Sequence, residues 1–248
     1  MNKEEFVKEV KELGIPITDE ILENLDKYFN LLIEENKKYN LTAITEEKDV
    51  YLKHFYDSLT ITKIIKIENQ SILDIGTGAG FPGIIIKIFF PETNIDLLDS
   101  TRKKCDFLNK VINTLNLKNI KVINARAEEY SKEVKEKYDI VTSRAVAPLK
   151  HLLEYSIPVL KVNGSFISLK GKLEEEMQNI DNYYKKLSLI NEKIITFNLP
   201  NAEGFRTLYK IEKEKPTNNI YPRIYSQIRK ECRSERHELQ GGRYGEGA

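Results

Sequence analysis

The stretch that most narrows the possible folds is residues 71–83, Ser-Ile-Leu-Asp-Ile-Gly-Thr-Gly-Ala-Gly-Phe-Pro-Gly. Ile72, Leu73 and Ile75 form a short apolar run, the pattern of a buried strand. Gly76, Gly78, Gly80 and Gly83 follow, and then an apolar helical stretch from Ile84 to Phe90 that stops at Pro91. Strand, glycine turn and helix, in that order, build the nucleotide site of open α/β sheets. Glycine lets the backbone turn sharply and approach a ligand closely, while the helix start offers free N–H groups.

Two ligand classes fit this stretch. Gly78-x-Gly80-x-x-Gly83 matches the dinucleotide fingerprint, and Asp99 lies about where a ribose-binding acid belongs, which keeps an NAD-dependent oxidoreductase open. The glycines begin earlier, however, at Gly76, and Asp74 stands at the strand end. A carboxylate there repels a pyrophosphate and suits a ligand with a cationic ammonium and no phosphate. Leu73-Asp74-Ile75-Gly76-x-Gly78-x-Gly80 resembles motif I of the class I S-adenosylmethionine (AdoMet) methyltransferases.

A chain of 248 residues buries a full core and is of the right size for one Rossmann-like unit with extensions. With 31% charged residues and a net charge of +1, it reads as a globular chain, and no apolar run approaches the ~20 residues that span a bilayer. Met-Asn-Lys-Glu-Glu at the start is charged without an apolar stretch, so no secretory signal is expected. Two cysteines, Cys105 and Cys232, make no disulfide framework, which points to a reducing cytoplasm; from the lack of a long apolar run, no membrane partner is expected. His54, His151 and His237 lack ligand spacing, so no metal site is expected. A net charge this near zero neither suggests nor excludes nucleic acid; local patches decide that.

Residues 1–68 read as helical. Phe6, Val7, Val10 and Leu13 share one face of a short helix that Gly14-Ile15-Pro16 stops. Thr18 or Asp19 caps a second, with 3–4 spacing from Ile21 to Ile33, and a third runs from about Glu46 to Ile65. Beyond residue 69 the alternation of short apolar runs with helical patterns predicts a mostly parallel, doubly wound α/β sheet. Asn163-Gly164 reads as a turn into a strand at Ser165–Leu169, and Leu173–Leu187 as one helix. Ile190–Asn198 and Arg206–Glu214 have no helix between them, so an antiparallel pair at one edge is expected. Beyond Lys215-Pro216 an arm begins, and residues 231–248 are polar and glycine-rich enough for disorder to be the default. The expected organisation is a helical extension over 1–68, a ligand-binding domain over 69–214 and an arm over 215–248.

Asp99 ends the second strand, where its carboxylate can accept ribose hydroxyls or cap the helix that starts near Arg102; both roles can coexist. Ala127 and Glu128 follow the third strand. Arg144 follows the fourth, over the crevice at the carboxyl ends of the strands, and is the candidate catalytic residue. Lys170 repeats that position after the fifth strand. Lys103 and Lys104 open a helix beside Asp99 and on spacing alone read first as a solvated face. An oxidoreductase would want its own catalytic set, and the one Tyr-x-x-x-Lys of interest, Tyr209 to Lys213, falls in an expected edge strand.

Taken together, several short motifs resemble one family. They are Asn40-Leu41-Thr42, His54-Phe55-x-Asp57-Ser58-Leu59, Asp74 to Gly83, Asp99-Ser100, Arg126-Ala127-Glu128, Ser143-Arg144-Ala145 and Leu169-Lys170-Gly171. Their pattern is similar to that of the RsmG (GidB) family, bacterial methyltransferases of guanine N7 in small-subunit ribosomal RNA. The resemblance covers roughly residues 1–230. It implies a Rossmann-like class I methyltransferase fold with AdoMet as cofactor, held by Asp74, Gly76, Gly78, Gly80, Phe81, Asp99, Ser100, Ala127, Glu128 and Arg144. It also implies an RNA-facing surface of Lys103, Lys104, Lys170 and Arg206, and as partner 16S rRNA in the 30S subunit or a precursor, approached by a monomer. The family name "glucose-inhibited division" keeps a non-catalytic nucleotide-sensing module open as a third reading. Residues 231–248 extend past the family's usual end.

Overall fold

The computed structural model describes residues 1–228 and 230. The chain starts with α1 (Lys3–Glu12), whose end is closed by a reciprocal capping box between Asn2 and Glu5. In α2 (Asp19–Tyr39) the Thr18 hydroxyl accepts from Ile21 N–H, and Asn40 ends the helix in the left-handed region. The expected third helix is not continuous. It runs as α3 (Glu47–Val50), a π turn (Tyr51–Tyr56), α4 (Asp57–Leu59) and a 3-10 turn (Thr60–Lys63).

Seven strands form one sheet: β1 (Ser71–Ile75), β2 (Asn94–Asp99), β3 (Ile120–Asn124), β4 (Tyr138–Arg144), β5 (Leu160–Lys170), β6 (Leu189–Asn198) and β7 (Phe205–Lys213). Their order is β3-β2-β1-β4-β5-β7-β6. The first five are parallel, and β7 is antiparallel to both β5 and β6, which supplies the antiparallel pair expected at that edge. Helices α5 (Gly83–Phe89), α6 (Arg102–Thr114), α7 (Ala127–Glu133), α8 (Leu149–Ser156) and α9 (Asp181–Leu187) cover the faces.

Alternation along the strands sorts the core into two layers. Ile72, Leu97 and Ile140 face a layer that includes Tyr28, Phe55 and Ile84, so the N-terminal helices share their core with the sheet. Leu73, Leu98 and Val141 face the other layer, with Leu149, Leu152 and Phe166. Period-2 alternation puts Asp74 on the same side as Ile72, toward the first layer.

Two local expectations are corrected. Asn163-Gly164 is not a turn before the strand but a bulge inside β5: Tyr138 pairs with Leu160 and Ile140 with Ser165, so two residues of β4 span five of β5. Asn163 takes a left-handed φ of 65° to absorb the extra length. The 173–187 helix breaks into a 3-10 turn (Glu174–Met177) and α9, with Asn179 left-handed between them at φ 58°. The tail 231–248 lies outside the described residues.

Candidate functional site

Strand order reverses between β1 and β4, and an open α/β sheet places its ligand crevice outside the carboxyl ends at that point. A cleft of about 830 Å³ lies there. Gly76, Asp99, Ser100, Ala127, Glu128 and Val146 are among its lining residues, so five positions expected from sequence come together. Its size falls inside the 300–1,000 Å³ typical of small-molecule sites.

The glycine turn is tied to β2. Gly76 N–H and Thr77 N–H both donate to Leu98 O, at 2.8 and 3.2 Å. Gly78 N–H donates to Asp99 Oδ2 at 3.0 Å from a left-handed backbone, φ 61°. Gly83 is small for a different reason: a Cβ there would lie 2.3 Å from Leu97 Cδ2 and 2.8 Å from Asp74 Oδ2. Asp99 Oδ1 also accepts from Thr101 N–H at 2.8 Å, so its carboxylate caps α6 while it lines the cleft. An ionised carboxylate has about four acceptor positions, which leaves room for two ribose hydroxyls.

Asp74 departs from expectation. It is fully buried and does not line the cleft; its Oδ2 accepts from Thr77 Oγ1 at 2.6 Å and Gly83 N–H at 2.9 Å. Its Oδ1 has no hydrogen-bond partner. Burial in the apolar layer pushes its carboxyl up to about 7, against the opposing pull of those two donors. Asp74 therefore braces the glycine turn from beneath. Gly78, Gly80, Phe81 and Arg144 also stay out of the main cleft's lining, Phe81 because it lies buried under the His54 ring at 4.4 Å.

Arg144 lines a second cleft of about 420 Å³ that meets the first at Ala145. Its Nη1 donates to Lys53 O (3.0 Å) and Asp57 Oδ2 (3.3 Å), its Nη2 to His54 Nδ1 (3.1 Å), and its guanidinium sits 5.1 Å over the Phe81 ring. Arg206 reaches the same acid from β7, with Nε donating to Asp57 Oδ1 at 2.9 Å. His54 Nε2 lies 2.8 Å from Thr42 Oγ1. Burial first, then the Arg144 charge, holds the His54 imidazole down at about 3.

The four basic residues do not form one exposed surface. Lys103 is exposed, 6.0 Å over the Tyr39 ring. Lys104 lines the main cleft, 3.9 Å from Asp99 Oδ2. Lys170 is only 7% exposed, because Glu176 (2.7 Å) and Ala147 O (2.9 Å) hold its ammonium. Arg206 and Lys170 both line the second cleft.

Residues 21–204 match the family model described as GidB, rRNA small subunit methyltransferase G. The chain belongs to this family. Among its relatives, the ribosomal RNA small subunit methyltransferase G of Mesoplasma florum is 51% identical over 221 residues, 88% of this chain and 92% of the relative. That of Desulforamulus reducens is 50% identical over 219 residues, 86% and 90% of the two chains. Two solved structures show the same fold at low identity. Precorrin-6y C5,15-methyltransferase from Geobacter metallireducens has a TM-score of 0.50 at 13% identity, covering 69% of this chain and 90% of that one. P. horikoshii TYW2 in complex with MeSAdo has a TM-score of 0.52 at 10% identity, covering 64% and 62%. The fold is that of a Rossmann-like methyltransferase.

In this family member the oxidoreductase constellation does not form. Tyr209 and Lys213 are both fully buried on β7, and Lys213 Nζ donates to Leu160 O at 2.7 Å. Among the described residues no cluster of three or more His, Cys, Asp or Glu is arranged to hold a metal, and no helix is long and apolar enough to cross a membrane. Several lining residues carried no sequence signal of their own. Val146 enters from the loop after β4, and His151, Tyr155 and Tyr225 close the far side. The arm that brings Tyr225 is anchored where Arg223 Nε meets the fully buried Glu154 at 2.9 Å.

Proposed function

We propose that this chain is an AdoMet-dependent methyltransferase that methylates N7 of a guanine in 16S rRNA, acting as a cytoplasmic monomer on the 30S subunit or a precursor. The observation that carries the reading is the cleft at the switch point in a member of this family. There Gly76, Asp99, Ser100, Ala127 and Glu128 converge. A nucleoside with an amino-acid chain needs three features found there: close backbone approach at the glycine turn, an acid for the ribose diol, and a pocket after the third strand for the adenine. The proposed domain organisation follows: an extension over 1–68 packed on a methyltransferase domain over 69–214, and an arm over 215–248.

When bound, AdoMet supplies a methyl group on a sulfonium sulfur. Asp99 would hold the ribose, and Ala127 and Glu128 the adenine edge. The main contribution of the residues is alignment. Guanine N7 presents an in-plane lone pair and carries no proton, so the transfer needs no general base. Holding two reactants in line is worth up to ~7–11 kcal/mol in well-oriented systems. The second cleft, which Arg144 and Arg206 line, supports entry of the RNA beside the cofactor. The test is transfer of labelled methyl from AdoMet to undermethylated 30S subunits, with mapping of the modified base. Label at a single 16S guanine N7 is the expected result. Transfer to another atom, or none, overturns the reading.

A further inference from the structure

The N-terminal extension carries motifs for which the cofactor cleft has no use: Thr42, His54 and Asp57 do not line it. They meet instead around Arg144, and the route by which they do so starts in the backbone. In a regular α-helix Asp57 N–H would return to Lys53 O. In the π turn Tyr51–Tyr56 it goes to Leu52 O and His54 O, and Lys53 O accepts from Arg144 Nη1 at 3.0 Å. A π turn inside a helix is a feature that recurs at functional sites.

The side chains complete the cradle. His54 Nδ1 lies 3.1 Å from both Arg144 Nη2, which can only donate, and Lys53 O, which can only accept and already takes Arg144 Nη1; the charge-assisted bond to the guanidinium is the stronger, so we assign Nδ1 as its acceptor, without a proton. The ring proton is then on Nε2 and points to Thr42 Oγ1 at 2.8 Å. Thr42 is held in turn by Asn36, whose Oδ1 accepts from Thr42 N–H at 2.9 Å. The opposite side of Arg144 meets Asp57 Oδ2, while Asp57 Oδ1 takes Arg206 Nε. One buried carboxylate thus spans two guanidiniums, one from the end of β4 and one from β7.

We infer that Thr42, His54 and Asp57 are positioning residues that fix the Arg144 guanidinium at the junction of the two clefts. Their effect on methyl transfer rests on the function proposed above. A neutral imidazole as acceptor and a shared carboxylate together allow one orientation of the guanidinium. The extension is therefore part of the active site and not only a cover on the sheet.

The test compares His54→Leu, which removes the acceptor, with His54→Asn, which keeps an oxygen acceptor near the Nδ1 position. For each variant, kcat for methyl transfer to 30S subunits is measured beside AdoMet affinity by calorimetry. His54→Leu should lose about 10- to 100-fold in kcat, the effect of one hydrogen bond to a charged group, with AdoMet affinity unchanged. His54→Asn should recover most of that loss. Equal losses in both variants would show a role in folding alone and overturn the inference, as would parental kcat in His54→Leu. A parent chain that transfers no methyl overturns the proposed function, and the positioning role falls with it. An independent measurement needs no variant to fold: the ¹⁵N spectrum of His54 should show Nδ1 unprotonated and Nε2 protonated at pH 7. A proton on Nδ1 would refute the arrangement.

Discussion

The cradle around His54 predicts how the fold responds to acid. Its imidazole is held from the usual 6.5 down to about 3, by burial first and by Arg144 second. A base whose folded value lies below its unfolded value binds its proton more readily when unfolded. Its contribution to stability is present above pH 6.5 and is lost as pH falls toward 3. One unit of difference corresponds to ~1.36 kcal/mol, so lowering pH from 7.5 to 5 should remove about 2 kcal/mol, since 1.5 of the available units lie in that window. Other groups titrate there too. Asp74, raised from 3.8 to about 7, acts with the opposite sign, losing stability as pH rises through that range. A double difference removes them. Urea unfolding of the parent and of His54→Asn at pH 7.5 and 5 should show that the parent loses on the order of 2 kcal/mol more than the variant. If the two lose the same amount, His54 either titrates normally or is already charged, and the acceptor role argued for Nδ1 is wrong.

Asp99→Ala should weaken AdoMet binding by roughly two to four decades, from two hydrogen bonds to a charged group at ~1.5–3 kcal/mol each, and calorimetry gives the constant directly. Because Asp99 also holds Gly78 N–H and Thr101 N–H, the same variant should melt a few degrees lower without ligand; an unchanged Kd would remove Asp99 from the site. Glu154→Ala removes the carboxylate that Arg223 Nε meets, a hydrogen bond between charged groups whose loss should cost about 1.5–3 kcal/mol in urea unfolding and open 215–228 to proteolysis. Lys103→Ala should lower the salt slope of 30S binding by about one unit, whereas Lys170→Ala, already paired with Glu176, should leave it unchanged. Equal slopes for both variants would mean that exposure does not decide which lysine meets phosphate.

The frame of the fold was legible because its signals are local. Glycine spacing after Ile75, strand-length apolar runs and the missing helix before Phe205 each act within a dozen residues, and they carry the parallel sheet with its antiparallel edge pair. Lining positions such as Asp99 and Glu128 were legible for the same reason: they stand at strand ends. The errors have a common cause in register and length. Glu46–Ile65 has an unbroken helical pattern, yet it contains a π turn whose shifted bonds are repaid by Arg144, a residue about ninety positions away. The helix expected at 173–187 breaks at Asn179 because a left-handed residue is needed there, and Asn is among the few side chains that accept it. Tyr225 reaches the cleft on an arm that the Arg223–Glu154 pair helps to anchor, a contact that no local pattern announces.

Asp74 shows why residue type and spacing do not by themselves decide a role. Read as a carboxylate beside a glycine turn, it suits a cationic ligand. Strand alternation turns it away, onto the face that carries Ile72 and the N-terminal helices. There the acid meets Thr77 Oγ1 and Gly83 N–H and becomes a clamp on the turn. The same face explains Gly83, whose missing Cβ leaves space for that carboxylate, and Tyr28, whose hydroxyl donates to Ala79 O from the helical layer. The glycine turn is thus held from below by residues that do not line the cleft. Arg144 at the neighbouring strand end is held by His54 and Asp57 in the same way. Both supports come through the layer that joins residues 1–68 to the sheet, so a chain lacking that layer would lose the geometry of the turn and of Arg144 together.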